Sequence, residues 1–245
     1  MTSGSSGLVS IVLPVHNQAA HIAGIVRNYV EVLEDIGRPV EFVLAVNASR
    51  DDTLSVCESL IATYPQVRVL HDSRPGWGRA VKAGLRAARG DLLCYTNSAR
   101  TSAAELRQLL LEATAHPGAV VKATRQVRDS WKRRLGSLLY NVECRALFGL
   151  STRDVNATPK VFPREHAALL MLTSDDDLLD AEFLLTCARE AYPVIEVPIF
   201  ATRRQGGSST TNYTSAVRMY VGALRLWWAS GRHQAPRKGA PHRDR

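Results

Sequence analysis

No run in this chain approaches the ~18 uninterrupted apolar residues that a membrane span needs. The opening MTSGSSG has no basic residue and no apolar stretch. These are the regions a secretory signal carries, so none is expected there, and residues 1–7 read as a disordered lead-in. Cysteine is scarce: Cys57, Cys94, Cys144 and Cys187 are the whole supply, and no two stand in C-x-x-C spacing. The common zinc and dithiol motifs are thereby excluded, and buried, reduced thiols in a cytoplasmic protein are expected. Aromatics make up only 7% of the chain and do not alternate with basic residues in strands, so nucleic acid is not an expected partner.

Acidic charge is also in deficit, with a formal net charge of +8. Residues 232–245 supply half of it: Arg232, Arg237, Lys238, Arg243 and Arg245 against Asp244 give +4 of the +8. This segment is rich in proline, glycine and base and reads as a disordered tail. With nucleic acid set aside, the basicity suits anionic lipid or a phosphorylated ligand.

What is present is an alternation. Apolar, β-branched runs at 8–14, 40–46, 67–70, 92–95 and 119–123 read as strands, and amphipathic segments between them, the first over 19–36, read as helices. Ser102 and Glu105 form a capping box before the helix that runs to about Ala115. Strand–helix repeats of this kind predict an α/β domain with a mostly parallel central sheet flanked by helices. The 45% apolar fraction over 245 residues can fill one such core. In open α/β sheets ligands bind beyond the carboxyl ends of the strands. Pro14, His16 and Asn17 follow the first strand, Asn47 the second, and Asn97 and Ser98 the fourth. Asn17 could equally cap a helix, and Asp51 suits a helix N-terminus.

The chain centres on residues 74–100, RPGWGRAVKAGLRAARGDLLCYTNSAR. Gly76 and Gly78 allow a close backbone approach, Ala80, Ala83, Gly84, Ala87 and Ala88 give a helix a small-residue face, and Gly90-Asp91 ends it. This stretch resembles the centre of the inverting family 2 glycosyltransferases of GT-A fold, the class that includes dolichol-phosphate mannose synthases. Gly76, Gly78, Ala80, Gly84, Gly90 and Asp91 match their pattern. So do Pro14, His16 and Asn17, then Ser49, Asp51 and Thr53, then Asp154, Lys160 and Arg164, then Asp180-Ala181-Glu182, and finally Arg203 to Ser209, with Arg204 as the better register for the arginine and Arg203 as the alternative. The resemblance covers roughly residues 8–209.

It implies a GT-A domain over 8–212 with a Rossmann-like nucleotide-binding half, followed by a C-terminal amphipathic helix over 213–231. It implies inverting transfer of a hexose from a nucleotide-diphospho-sugar to an acceptor, such as a polyprenyl phosphate or lipid-linked glycan, at the inner face of the cell membrane. Carried over position by position, the donor would be held by Pro14, His16, Asn17, Asn47, Gly76, Gly78, Asn97, Ser98, Arg100 and Arg204. Asp154, Lys160 and Arg164 would serve the acceptor. Asp180, or else Glu182, would be the catalytic base; an acceptor that is already a phosphate needs none.

The sequence departs from the family at the metal. Asn97-Ser98-Ala99 stands where the D-x-D carboxylates hold Mg²⁺ or Mn²⁺, Gln18 replaces a Glu, and Val46 and Asn47 replace two Asp. Hard cations need anionic oxygen ligands. Cations appear around the same crevice instead, and Arg100, helped by Arg74 or Arg79, could stabilise a diphosphate leaving group. The alternative is a non-catalytic module that binds nucleotide or a partner. A nucleotidyltransferase would carry a glycine-rich basic signature after the first strand, and His16-Asn17-Gln18 is not one. Basic residues from Arg125 to Arg134, interleaved with Trp131, Leu135 and Leu138, read as an amphipathic helix or pair suited to a membrane surface or a lipid phosphate.

Overall fold

A computed structural model describes residues 7–126, 144–145, 147, 152, 154–200, 221–224 and 228. In chain order it has β1 (Val9–Val15), α1 (Ile22–Leu33), β2 (Val40–Asn47), α2 (Thr53–Thr63), β3 (Val67–Asp72), α3 (Trp77–Ala87), β4 (Leu92–Tyr95), α4 (Ala103–Ala115), β5 (Val120–Arg125) and β6 (Lys160–Pro163). A 3-10 turn at Ala167–Leu170 follows, then α5 (Leu179–Arg189) and β7 (Val194–Ile199). Seven strands form one sheet in the order β3-β2-β1-β4-β6-β5-β7. Only β6 runs antiparallel, to both β4 and β5; the other pairings are parallel.

The strands that read as unbroken apolar runs are those covered on both faces. Every residue of β1 is buried. Its Ile11 and Leu13 face the layer of α1, α2 and α4, with Tyr29, Leu60 and Leu109. Its Val12 faces the layer of α3 and α5, with Val81, Leu85 and Phe183. The small-residue face of α3 is what lets that helix approach: a Cβ on Gly84 would sit 2.2 Å from Val12 Cγ1. The capping box is in place, with Ser102 Oγ accepting from the Glu105 amide and Glu105 accepting from the Ser102 amide. All four cysteines are buried, and none is in a disulfide.

Two boundaries differ from the sequence expectation. The first helix begins at Ile22 rather than at 19, because Asn17 adopts a φ of +50° and the Gln18 carbonyl accepts from the amides of both His21 and Ile22. The third ends at Ala87, because Gly90 then lies against β1. Its amide donates to Ser10 Oγ at 2.7 Å, and a Cβ there would meet the Leu8 carbonyl oxygen at 2.5 Å. The reversal at β6 was not anticipated. The helix expected over 213–231 is described at 221–224 and 228, all helical, with Gly222 pressed on Leu178. The lead-in up to Ser6, the basic segment 127–143, the Arg204 loop and the tail 232–245 lie outside the described residues. Among those described, no helix is long and apolar enough to cross a membrane.

Candidate active site

The carboxyl ends of β1, β2, β3 and β4 share one edge of the sheet, joined there by the carboxyl end of β5 and, through its reversal, the start of β6. On the β1–β2 side the loops are tied to each other. His16 Nδ1 lies 2.8 Å from the Asn47 carbonyl, which can only accept, so Nδ1 carries the proton. His16 Nε2 then accepts from Asn17 Nδ2 at 3.2 Å. Asn17 Oδ1 accepts from the Arg50 amide, and Asn47 Nδ2 donates to the Gly76 carbonyl. Asn17 therefore does not cap α1. Asp51 accepts from the amides of Ala19 and Thr53 and so ties the loop after β1 to the start of α2, but it is the N-cap of neither helix: α1 is preceded by His21 and α2 by Asp52, each without a side-chain cap. Pro14 lies buried within β1.

At the end of β4, Asn97 Oδ1 turns back to the Ala99 amide, while its own amide donates to Thr158 Oγ1. Ser98 is fully buried and donates to Gln18 Oε1 at 3.1 Å, so two of the positions that depart from the family contact each other. The donor set here is an amide oxygen, a hydroxyl and a methyl. Among the described residues no three His, Cys, Asp or Glu side chains are placed to hold one metal ion. These residues do not fit Mg²⁺ or Mn²⁺ held by carboxylates.

Three expectations about the donor side need correction. Gly76 and Gly78 do make room, but the chain fills that room itself. A Cβ on Gly76 would lie 2.4 Å from the Asp175 carbonyl oxygen, and one on Gly78 would lie 2.4 Å from that of Ser174. Arg74 is not a free cation: it grips Asp72 with two bonds of 3.0 and 2.9 Å and holds that carboxyl at about 2. Arg79 is paired with Asp175 at 2.5 Å. Arg100 follows Asn97 in a turn, half-buried, with its amide on the Asn97 carbonyl.

Around the residues expected to serve the acceptor lie three ion pairs, Lys122 with Glu196, Arg125 with Asp154 and Lys160 with Asp180; Arg125 and Glu196 are about a quarter exposed and the other four are buried. Lys160 is fully buried, ion-paired with Asp180, and donates to the Val155 carbonyl. Tyr95 donates to the same Asp180 oxygen at 2.8 Å. Asp180 is thus no solvent-facing base: it is buried and holds two donors. Glu182 accepts from the Thr173 amide and hydroxyl and from the Ser174 amide. Burial pushes the Glu182 carboxyl up, but these bonds outweigh it and hold the group below its usual range. Asp154 is buried beneath Arg125, whose Nε and Nη2 donate to its two oxygens at 2.7 Å each. Arg164 is on the wrong edge. It follows Pro163, which pairs with the first residue of β4, and its guanidinium donates to the Gly90 and Ala88 carbonyls.

The residue that sequence reasoning missed is Arg125. It closes β5 at the ligand edge, about a quarter exposed, with Nη1 outside the Asp154 pair. In the sequence it stands at the head of the basic segment that follows. The available signal was its place as the last residue of an apolar strand, the same kind of position as Asn47.

Lys122 gives its pair a pH signature. It is fully buried, and burial lowers its pKa from 10.5 to about 8, with Glu196 opposing. The unfolded chain keeps this proton to about 10.5 while the folded chain releases it near 8, so this group adds stability as pH rises between those values. Relative to Lys122→Met, the wild type should gain about 2 kcal/mol between pH 7.5 and 9.5. Urea unfolding of both proteins at the two pH values checks this, and a pH-independent gap would contradict it.

Comparisons with known proteins show the family and the fold. The model of "Glycosyl transferase family 2" matches residues 10–177. Glycosyltransferase AglD of Haloferax volcanii is 29% identical over 231 residues, covering 90% of this chain and 37% of that protein. An undecaprenyl-phosphate 4-deoxy-4-formamido-L-arabinose transferase of Sodalis glossinidius is 25% identical over 214 residues, covering 86% of this chain and 65% of the other. The chain thus spans between one third and two thirds of the length of these relatives. Glucosyl-3-phosphoglycerate synthase of Mycobacterium tuberculosis, solved with Mn²⁺, UDP and glucosyl-3-phosphoglycerate, superposes with a TM-score of 0.70 at 18% identity, covering 90% of this chain and 79% of that one. That likeness establishes the GT-A fold.

Proposed function

We propose a reaction for a chain that belongs to glycosyl transferase family 2: transfer of a glycosyl group, with inversion, from a nucleotide-diphospho-sugar to the phosphate of a polyprenyl phosphate. The carrying observation is the state of the acceptor side. Asp180 and Glu182, the two carboxylates at the place of a base, are both engaged, whereas Arg125 is held at the edge by a buried acid. A hydroxyl acceptor needs a base within reach; a phosphate is already ionised and needs only a cation to hold it. Arg125 is that cation, and Asp154 aims it. In the reaction a phosphate oxygen attacks the anomeric carbon from the face opposite the leaving group. The bond from that carbon to the donor diphosphate breaks, and the nucleoside diphosphate departs with the electron pair. No proton changes hands. The name of the Sodalis relative, an undecaprenyl-phosphate transferase, supports the same acceptor class. Such an acceptor would bring the chain to a membrane surface, which its basic charge suits.

The donor lies, in this reading, along His16, Asn17, Asn47, Asn97, Ser98 and Arg100, joined by Arg204, which is outside the described residues. No step is assigned to a metal, since the D-x-D carboxylates are replaced. The rival, a non-catalytic binding module, draws on those same replacements and predicts donor binding without turnover. The test is Arg125→Ala. Loss of one charge-assisted contact should raise KM for polyprenyl phosphate roughly 10- to 100-fold while leaving KM for the donor in place. An unchanged acceptor KM would remove Arg125 from the acceptor site.

A further inference from the structure

The segment Thr173–Asp176 is held at both ends by different parts of the fold. At its donor end the Arg79 amide donates to the Asp175 carbonyl at 3.0 Å. The Asp175 carboxylate pairs with Arg79 at 2.5 Å and Lys82 at 2.7 Å, and Lys82 also donates to the Thr173 carbonyl. Gly76 and Gly78 are the two positions of α3 and its approach where any side chain would collide with this segment's backbone. At its acceptor end, Glu182 takes the Thr173 and Ser174 amides at 2.8 and 2.7 Å. Glu182 sits in the first turn of α5, the turn that also carries Asp180. Asp176 Oδ1 closes the strap onto that helix by accepting from the Leu178 amide.

We propose that Asp175 and Glu182 are positioning residues: together they make residues 173–176 a strap that sets the first turn of α5 against α3, so that the donor-side helix fixes the geometry of the acceptor side. The ion pairs at the exposed end add little stability themselves, since Asp175 is about half exposed. Their effect is to choose the orientation in which the backbone docks. Releasing either end frees the same short segment, so the two ends act as one unit.

The experiment is a double-mutant cycle read by amide hydrogen exchange on the full chain, with Asp175→Asn, Glu182→Gln and the pair. Three amides report: Arg79, Thr173 and Ser174. Each single variant should speed exchange at all three by about tenfold or more, including those at the far end. The double variant should do no worse than the worse single. Additive effects, with each variant loosening only its own end, would overturn the proposal. Kinetics on the same variants should raise acceptor KM about tenfold with donor affinity unchanged, and an unmoved acceptor KM would equally overturn it. The kinetic arm rests on the reaction proposed above, while the exchange arm needs no turnover. A chain that transfers nothing would therefore sink that reaction and leave the strap to be decided by exchange.

Discussion

Lys160→Met should cost about 3–5 kcal/mol of stability, because it leaves Asp180 buried without the ion pair that offsets its desolvation. The wild-type pair is fully enclosed: Lys160 is buried against Tyr95 and Phe183, and burial lowers its pKa while Asp180 opposes. Water cannot rescue the orphaned carboxylate there without opening the layer that Phe162 and Phe183 close. In a domain of this size the loss corresponds to a fall of roughly 6–20 °C in Tm. Removing both charges should restore most of it, since an apolar pair of similar volume is often as stable as the ion pair it replaces. Urea midpoints for Lys160→Met and for Lys160→Met with Asp180→Leu measure both effects. A single variant that loses less than about 1 kcal/mol would mean the pair is not buried as described.

Gly76→Ala should cost about 2–5 kcal/mol, for two reasons that act at one atom. The Gly76 φ of +141° is open to glycine and strained for alanine. The new Cβ would also fall 2.4 Å from the Asp175 carbonyl oxygen, a backbone atom that cannot rotate away. Relief requires the strap to lift, so the loss should come with faster exchange at the Thr173 and Ser174 amides. Gly78→Ala meets the same strap at Ser174. Its φ is unstrained and it gains helix propensity, so it should lose less stability while loosening the strap as much. Equal stability losses for the two variants would contradict this division.

How much of this was legible in the sequence depended on how local the cause was. The Ser102–Glu105 box is a four-residue pattern and stands as read. So does β4, whose four apolar residues are bounded by Asp91 and Thr96. Lys160 and Arg164 show the limit. Four residues apart, they looked like one acceptor motif, but a strand between them carries the chain from one edge of the sheet to the other. Nothing in a run as short as KVFP signals its direction. Asp180 read as a base because its partners Lys160 and Tyr95 are 20 and 85 positions away. Gly76 and Gly78 were rightly read as places of close approach, but the sequence does not say what approaches. Arg125 was hidden by company, one basic residue at the head of a basic segment, until β5 placed it at the edge.

The most direct test of the account is transfer of labelled sugar from UDP-, GDP- and dTDP-sugars to a polyprenyl phosphate and to the matching polyprenol, each in EDTA and again with Mn²⁺. The account predicts that one donor labels the phosphate and not the alcohol, and that EDTA does not abolish the product. Label on the alcohol would contradict the acceptor assignment. Transfer that appears only with Mn²⁺ would contradict the reading of Asn97, Ser98 and Ala99 as a site that no longer holds a metal.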